Sequence, residues 1–347
     1  MPTVRVAIAG ATGYSGEELI RLLLQHPAVQ LTYLAGSAKW ERPVAVSDVF
    51  PRFARRLDLP IESLDVQRLI AQSDVAFLAL PHGTAMEFVP QLLAAGKRVV
   101  DLSGDFRLRD AALYPRWYQF QHPHPELLNG GATGAVYGLT EFHRAEIARA
   151  TLVANPGCYA TSILLACLPL FQAGLVPDGE FIVDAKSGLS GAGRKADASL
   201  LFTEMTENLR AYKVNDHQHM PEILQEIRQV TGRQGRMVFV PQVIPVSRGL
   251  ISTLYIRTKA AVEHVEQAYR TAYPADQAPF VRVRAGGLPQ LRDVVETNYC
   301  DVGYVYDAQL GCLIVASALD NLTKGAAGQA VQNFNLMCGF PETTALY

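Results

Sequence analysis

Charge is scarce in this chain. Charged residues make up 18% of its 347 residues, and 31 Lys and Arg nearly balance 33 Asp and Glu, for a formal net charge of −2. That balance leaves no basic field for nucleic acid and no cationic face for a membrane surface. No stretch approaches the roughly 20 uninterrupted apolar residues of a membrane span. Cysteines number five, Cys158, Cys167, Cys300, Cys312 and Cys338. They are scattered, odd in number and without a CxxC pair, which argues against a disulfide scaffold or a zinc ribbon. His-x-His occurs at His122/His124 and His217/His219, in neither case with thiolate or carboxylate partners at ligand spacing, so no metal is expected. Repeats, low-complexity tracts and flexible linkers are also missing. The opening "MPTVRVAIAG" runs into a strand without an export-signal pattern, and with free thiols this gives the expectation of a reducing cytoplasm.

What is present is apolar, patterned sequence: 49% of residues are hydrophobic, and the length suffices for two cores. "VRVAIAGATGYSGEELIRLLLQHP" reads as strand, glycine-rich turn and helix, the helix carried by Leu19, Leu22 and Leu23 and ended by Pro27. "VQLTYLAG", "DVAFLALPHG", "RVVDLSGD" and "TLVANPG" are further strands, with the helix "TAMEFVPQLLAAG" between two of them. Strands alternating with helices predict a parallel, doubly wound Rossmann sheet over residues 1–155. After that the texture changes. "FIVDAKSG", "RMVFVPQVIPVSRG", "ISTLYIRT", "FVRVRAGG" and "GCLIVASALD" are strands with few helices between them, which predicts an α+β unit with a mixed sheet over 156–317. The closing segment "NLTKGAAGQAVQNFNLMCGF", with an apolar stripe through Ala330, Phe334 and Met337, is expected to be a helix crossing back to the first unit, so that 318–347 joins 1–155. The fold class is therefore α/β with a second α+β domain.

Gly10, Gly13 and Gly16 form G-x-x-G-x-x-G between the first strand and its helix, with Thr12, Tyr14 and Ser15 among them. Glycine lets the backbone turn tightly and approach a pyrophosphate seated on the helix N-terminus. The same pattern also serves a tight turn with no ligand, but its place after a strand and before a helix favours a dinucleotide. An NAD site carries an acidic residue about 20 residues further on. This chain has Gly36-Ser37-Ala38-Lys39 there. A hydroxyl and a cation, Ser37 and Lys39, suit the 2′-phosphate of NADP, unless Lys39 is a solvated surface lysine.

"NPGCYATSILLACLPLF" places Cys158 at the first turn of an apolar helix. Unpaired N–H groups and positive partial charge at a helix N-terminus favour thiolate, the nucleophilic form. A thiol nucleophile beside a nicotinamide suits thioester formation followed by reduction. Asn155 and the Cys158 amide are candidate donors to the resulting oxyanion. "NLRAYKVNDHQHMPEI" offers Arg210, Lys213, His217, His219 and Glu222. The two histidines are two residues apart, so regular secondary structure directs them to different sides and at most one of them faces the thiol; the plainer alternative is two surface histidines before a helix start at Pro221. "DLSGDFRL" offers Ser103, Asp105 and Arg107, the last either a phosphate ligand or a salt-bridge partner of Asp105 or Asp101. "KSGLSGAGRKA" places Ser187 and Gly188 ahead of Arg194 and Lys195 in a loop rich in donors. Asn321 stands where it would cap the last helix.

Taken together and in order, "GATGYSGEELIRLL", "LPHG", "DLSGDFRL", "NPGCYAT", "SGLSGAGRKA", "AYKVNDHQHMPEI", "TNYCDVGY" and "ASALDNLTKGAAGQAVQNFNLM" resemble the N-acetyl-γ-glutamyl-phosphate reductase family, related to aspartate-semialdehyde dehydrogenase, nearly end to end. The resemblance implies a glyceraldehyde-phosphate-dehydrogenase-like second domain that carries substrate and dimerises, as homodimer or homotetramer. It implies reduction of a small acyl phosphate by NADPH with release of phosphate, in arginine biosynthesis. Cys158 falls on the family's nucleophile, His217 on its acid/base, Gly10 to Gly16 on its nucleotide loop and Asn321 on a further cofactor contact. Substrate contacts are expected from Arg107, Ser187, Gly188, Arg194 and Lys213. The chain departs from the pattern at Gly104, where alanine is expected, and in "AGSAKW", which lacks a Ser-Arg pair. Two rival functions are a carrier-linked aminoadipyl-phosphate reductase of lysine biosynthesis, with the same chemistry, and a nucleotide-binding sensor without turnover. The sensor has no use for an activated thiol.

Overall fold

A computed structural model of the chain describes residues 3–36, 42–130 and 134–347. Ser37 and Lys39 lie outside the described residues. The chain forms two compact units, Met1–Pro156 with Ala326–Tyr347, and Gly157–Gly325.

In the first unit β1 (Val4–Ala9), β2 (Val29–Ala35), β3 (Val44–Ala45), β4 (Pro60–Glu62), β5 (Val75–Leu78), β6 (Arg98–Asp101), β7 (Val136–Tyr137) and β8 (Leu152–Ala154) make one sheet. Its order is β3-β4-β2-β1-β5-β6-β8-β7, parallel except for the β3–β4 pair. The order reverses at β1, the switch point of a doubly wound sheet. The central strands are buried on both faces, so they read as apolar runs and not as alternation. The longer helices are α1 (Tyr14–Leu23), α2 (Val66–Gln72), α3 (Ala85–Ala94) and α4 (Thr140–Ile147). The C-terminal helix, Gly328–Met337, belongs to this unit, with Ala330, Phe334 and Met337 buried. Its other faces are buried as well, and their amides pair: Asn333 donates to Gly138 O at 2.8 Å and Asn335 to Glu342 O at 3.0 Å.

The second unit holds β9 (Glu180–Gly188), β10 (Arg210–Ala211), β11 (Arg236–Ile244), β12 (Leu250–Arg257), β13 (Val281–Ala285), β14 (Cys300–Asp307) and β15 (Cys312–Leu319). They form a mixed sheet in the order β10-β11-β9-β12-β15-β14-β13. Pairs β9–β11 and β13–β14 are parallel, and the others are antiparallel. The expected break at 317/318 is corrected here: it would cut β15, which pairs along its length with β12 and β14.

Strand β14 was not expected from "CDVGYVYD", because Asp301 and Gly303 both disfavour a strand interior. The packing explains each. Asp301 is buried and takes hydrogen bonds from Arg282 and Arg284. A Cβ at Gly303 would lie 2.0 Å from the carbonyl oxygen of Gly287.

Helices α5 (Cys158–Gln172), α6 (His219–Thr231) and α7 (Val262–Ala272) complete the unit. From Tyr159 to Phe171 every residue of α5 is buried. Pro169 sits inside this helix and has no N–H for the carbonyl of Leu165. Tyr273 donates to that carbonyl at 2.7 Å, and Tyr269 to the carbonyl of Ala166 at 2.6 Å. Ser162 bonds Ser252 on β12 and Ser317 on β15, tying helix to sheet. The sheet's other face carries an apolar row in register across five strands: Val238, Ile182, Tyr255, Ile314 and Val305. Four of these are exposed, Ile182 to 48%, Val238 and Val305 to 44% and Tyr255 to 39%.

Gly303→Ala is expected to lower stability by about 1–3 kcal/mol, the usual range for overpacking. Gly287→Ala, whose Cβ meets nothing within 4 Å, serves as the control. Denaturant midpoints of both variants are the measurement, and equal midpoints would contradict the packing argument.

Candidate active site

The thiol of Cys158 stands at the first residue of α5, after the N-cap Gly157, which has no side-chain cap. Three features build its surroundings within the second unit. The amide of Gly157 donates to Glu222 Oε1 at 2.8 Å, and Glu222 is fully buried in the first turn of α6. A Cβ on Gly157 would lie 2.1 Å from His219 Nε2, so only glycine lets that ring pack on the helix mouth. A Cβ on Gly325 would lie 2.8 Å from Cys158 Cβ, so Gly325 backs the thiol. The sulfur thus meets the positive end of a buried helix, which favours negative charge there.

His217 and His219 are neighbours. Their ring centroids are 4.5 Å apart, which corrects the expectation that they diverge. Regular parity does not apply, because His217 lies in a turn and His219 is the first residue of α6. The amide of His219 donates to His217 Nδ1 at 3.1 Å. The neutral tautomer consistent with that bond carries its proton on Nε2. His217 is buried among Tyr159, Tyr212 and Phe239, with centroids 5.5, 5.8 and 5.5 Å away. Tyr212 donates to Tyr159 at 3.5 Å, and Tyr159 to the carbonyl of Gln242 at 3.2 Å. Burial pushes the Tyr212 hydroxyl up to about 12, the nearby Cys158 sulfur adding to the effect of burial. Burial also raises Tyr159. Both phenols therefore stay protonated donors at neutral pH. Tyr159, Tyr212 and Gly325 were not singled out in the sequence; only the density of "AYKVNDHQH" hinted at Tyr212.

Ser187 is buried at the end of β9, and a Cβ on Gly191 would lie 2.8 Å from its Oγ. Gly188 closes the strand pairing, donating to Gly249 O at 2.9 Å. Arg194 is exposed in the following loop. Lys213 is exposed on a left-handed turn (φ 44°) and donates to Gln218 at 3.1 Å. Asn321 is not a helix cap: it accepts from the amide of Gly249 at 2.8 Å and donates to Ser190 at 2.9 Å. Asp320 caps the turn, accepting from the amides of Leu322 and Thr323 and from Arg248 Nε at 2.9 Å.

The first unit carries the glycine turn. Gly10 has φ +88°, and a Cβ on it would lie 2.1 Å from the carbonyl oxygen of Ala79. A Cβ on Gly16 would lie 2.2 Å from the carbonyl oxygen of Gly10. Thr12, Gly13, Tyr14 and Ser15 are half-buried at the mouth of α1, whose N-cap Gly13 has no side-chain cap. Those glycines let the turn pack tightly against Ala79 and itself, and the helix end that follows has no side-chain cap, which fits a pyrophosphate on its N–H groups. Arg107 and Asn155 are buried hubs of the same unit. Arg107 donates to the carbonyls of Asn155 at 2.8 Å and Leu102 at 2.9 Å. Asn155 donates to Ala326 O and accepts from Asn333, both at 3.1 Å. At Gly104 a Cβ would lie 2.1 Å from the Tyr118 ring, so here that ring fills the place of an alanine methyl. Among the described residues no three His, Cys, Asp or Glu side chains gather as a metal site, and no helix is long and apolar enough to cross a membrane.

The two units match two family models, "Semialdehyde dehydrogenase, NAD binding domain" over residues 5–150 and "Semialdehyde dehydrogenase, dimerisation domain" over 158–321. The fold is also that of aspartate semialdehyde dehydrogenase II from Vibrio cholerae, in complex with ASA: TM-score 0.71 at 19% identity, covering 98% of this chain and 99% of that one. The Candida albicans aspartate semialdehyde dehydrogenase with NADP gives 0.67 at 15% identity, covering 97% and 98%. An N-acetyl-gamma-glutamyl-phosphate reductase from Desulfotalea psychrophila is 46% identical over 347 residues, 99% of this chain and 98% of that protein. One from Bacillus cereus is 42% identical over 346 residues, with the same coverage. The chain therefore belongs to the N-acetyl-gamma-glutamyl-phosphate reductase family, oxidoreductases of the semialdehyde dehydrogenase class.

At neutral pH, iodoacetamide is expected to modify Cys158 about tenfold faster than Cys167 or Cys300, which are buried. Burial also raises the Cys167 thiol. Peptide mass spectrometry against time measures this; equal rates at Cys158 and Cys300 would contradict an activated thiol.

Proposed function

We propose that this chain reduces N-acetyl-γ-glutamyl phosphate to N-acetylglutamate 5-semialdehyde with NADPH and releases phosphate, in arginine biosynthesis. The observation that carries this is Cys158 at the mouth of a buried helix, beside a histidine pair and two phenols, in a chain with full-length reductase relatives. In this reading the first unit holds the dinucleotide and the second carries the thiol.

The Cys158 thiolate attacks the acyl carbon, the carbon–oxygen bond to phosphate breaks, and a thioester forms. A nicotinamide cofactor held at the Gly10 to Gly16 turn would supply the hydride that reduces this carbon. Hydrogen-bond donors at the helix mouth, with the Cys158 amide foremost, stabilise the oxyanion that results. Collapse expels the Cys158 thiolate and frees the aldehyde. His217, its Nδ1 occupied by the His219 amide, donates its Nε2 proton to that oxyanion and takes it back as the thiolate leaves. A thiol nucleophile needs a reducing setting, and the cytoplasm is the compartment we propose.

We further propose that the second unit self-associates through the open sheet face, as a homodimer or a pair of dimers. The apolar row at Tyr255 supports this, together with the dimerisation-domain match. Tyr255→Arg with Val305→Arg is expected to shift sedimentation at micromolar concentration to the monomer mass. Unchanged sedimentation would move the interface elsewhere.

Phosphate-dependent oxidation of N-acetylglutamate semialdehyde, followed at the nicotinamide absorbance, tests the activity. Turnover of only a carrier-linked aminoadipyl semialdehyde would transfer the function to lysine biosynthesis, and no turnover of either would favour a sensor. His217→Ala is expected to slow turnover by about 10²–10⁴, the range for lost acid–base catalysis. His219→Ala is expected to cost about tenfold or less by the same comparison, because its ring packs on Gly157. The reverse order would assign the proton transfer to His219.

A further inference from the structure

We infer that an open cleft at the carboxyl ends of β2 and β4 selects the phosphorylated dinucleotide by hiding a carboxylate: Arg68 masks Glu62, so that Arg42 sets the charge met by a 2′-phosphate. The inference rests on the dinucleotide reading proposed above and adds the residues that discriminate.

In a doubly wound sheet the ligand lies outside the carboxyl ends of the strands, and the adenosine ribose lies near the end of the second strand. Here β2 follows β1 in the sheet and β4 follows β2. The amide of Gly36, just past β2, donates to the carbonyl of Glu62 at 2.9 Å, so the two strand ends meet at one spot. A cleft of about 410 Å³ opens there, with Arg42, Glu62, Asp65 and Arg68 in its wall.

The charges in that wall are unequal in reach. A carboxylate at the end of the second strand normally marks an NAD site, because it accepts from ribose hydroxyls and repels a 2′-phosphate; here the nearest one among the described residues is Glu62, on β4, brought to that strand end by the Gly36 contact. Glu62 would act so if it were bare. Arg68 Nη1 donates to Glu62 Oε2 at 2.7 Å, and the guanidinium lies over the Tyr33 ring at 5.9 Å, which fixes its direction. The second oxygen, Oε1, is buried and has no hydrogen-bond partner among the described residues. Neutralisation of Glu62 therefore depends on Arg68. Asp65 is committed elsewhere: its carboxylate caps α2, accepting from the amides of Gln67 at 2.9 Å and Arg68 at 3.1 Å. Arg42 is exposed and forms no ion pair among the described residues. With Glu62 paired and Asp65 facing a helix terminus, Arg42 is the cation that the described residues of this wall leave for a dianion.

Calorimetric titration with NADPH, NADH, 2′,5′-ADP and 5′-AMP separates these roles without turnover. The unmodified protein is expected to bind NADPH more tightly than NADH. Arg42→Gln is expected to weaken NADPH and 2′,5′-ADP about tenfold or more, as for one lost charge-assisted contact, with NADH and 5′-AMP changed by less than about threefold. Arg68→Gln is expected to weaken NADPH by at least as much, and adding Glu62→Gln to it is expected to recover most of that loss. Retained 5′-AMP affinity shows that each variant is folded. An unmodified protein that prefers NADH would remove the NADP reading and this inference together. NADPH preference that survives both arginine changes would overturn the inference and leave the reading standing. Loss with Arg68→Gln that Glu62→Gln does not recover would overturn the masking.

Discussion

A buried carboxylate holds the mouth of the central helix. Glu222 accepts the amide of Gly157 at 2.8 Å, and the arrangement of the second unit's site follows from that one bond. The donor is one of the amides that a helix start leaves without an intrahelical partner. The acceptor sits in the first turn of α6, where a negative charge also suits the helix dipole. One side chain therefore serves two helix termini and brings them together. Cys158 is the next residue on one helix, and His219 stands three residues before Glu222 on the other. Removing the carboxylate would leave a buried donor unsatisfied, at a cost of about 1–3 kcal/mol, and would release the spacing between thiol and histidines. Glycine at 157 is the second half of the device, because any side chain there would displace the His219 ring.

The rest of α5 is built to make that mouth immobile. Ser162 ties it to two strands, and Tyr273 gives the Leu165 carbonyl the donor that Pro169 lacks. In the first unit the same economy appears in the loop after β6. Burial, with the charge of Asp105 added, raises the Asp101 carboxyl, while Ser103 and Arg107 pull it back. Asp105 accepts from the amides of Gly83 at 2.7 Å and Met86 at 3.2 Å, at the start of α3. Arg107 fixes the backbone of Asn155. Positioning by such buried polar groups costs desolvation and gains a single arrangement.

The parts of this molecule that were legible in the sequence are those with a local physical signature. Both-face burial gave the apolar runs of β1, β5 and β8, and the glycines of the first turn stand where a Cβ would strike Ala79 or Gly10. Asn-Pro-Gly before an apolar run marked the helix of Cys158. What was not legible depends on partners distant in sequence. Strand β14 needs Arg282 and Arg284 to neutralise Asp301 and needs Gly287 beside Gly303. Asn321 reads as a cap, but its amide clamps Gly249 and Ser190, and Asp320 takes the cap. His217 and His219 read as diverging, but the turn before α6 sets their rings side by side. Pattern rules assume regular backbone, and the site is where the backbone is irregular.

The central claim is that Cys158 carries the acyl group. Its most direct test is to mix the enzyme with N-acetyl-γ-glutamyl phosphate without reducing cofactor, quench in acid and map the acylated peptide by mass spectrometry. The account predicts an acyl adduct on the peptide containing Cys158, with phosphate released in equal amount, and neither in Cys158→Ser. Reduction of the acyl phosphate by NADPH in a Cys158→Ser variant, or an adduct on another residue, would contradict it.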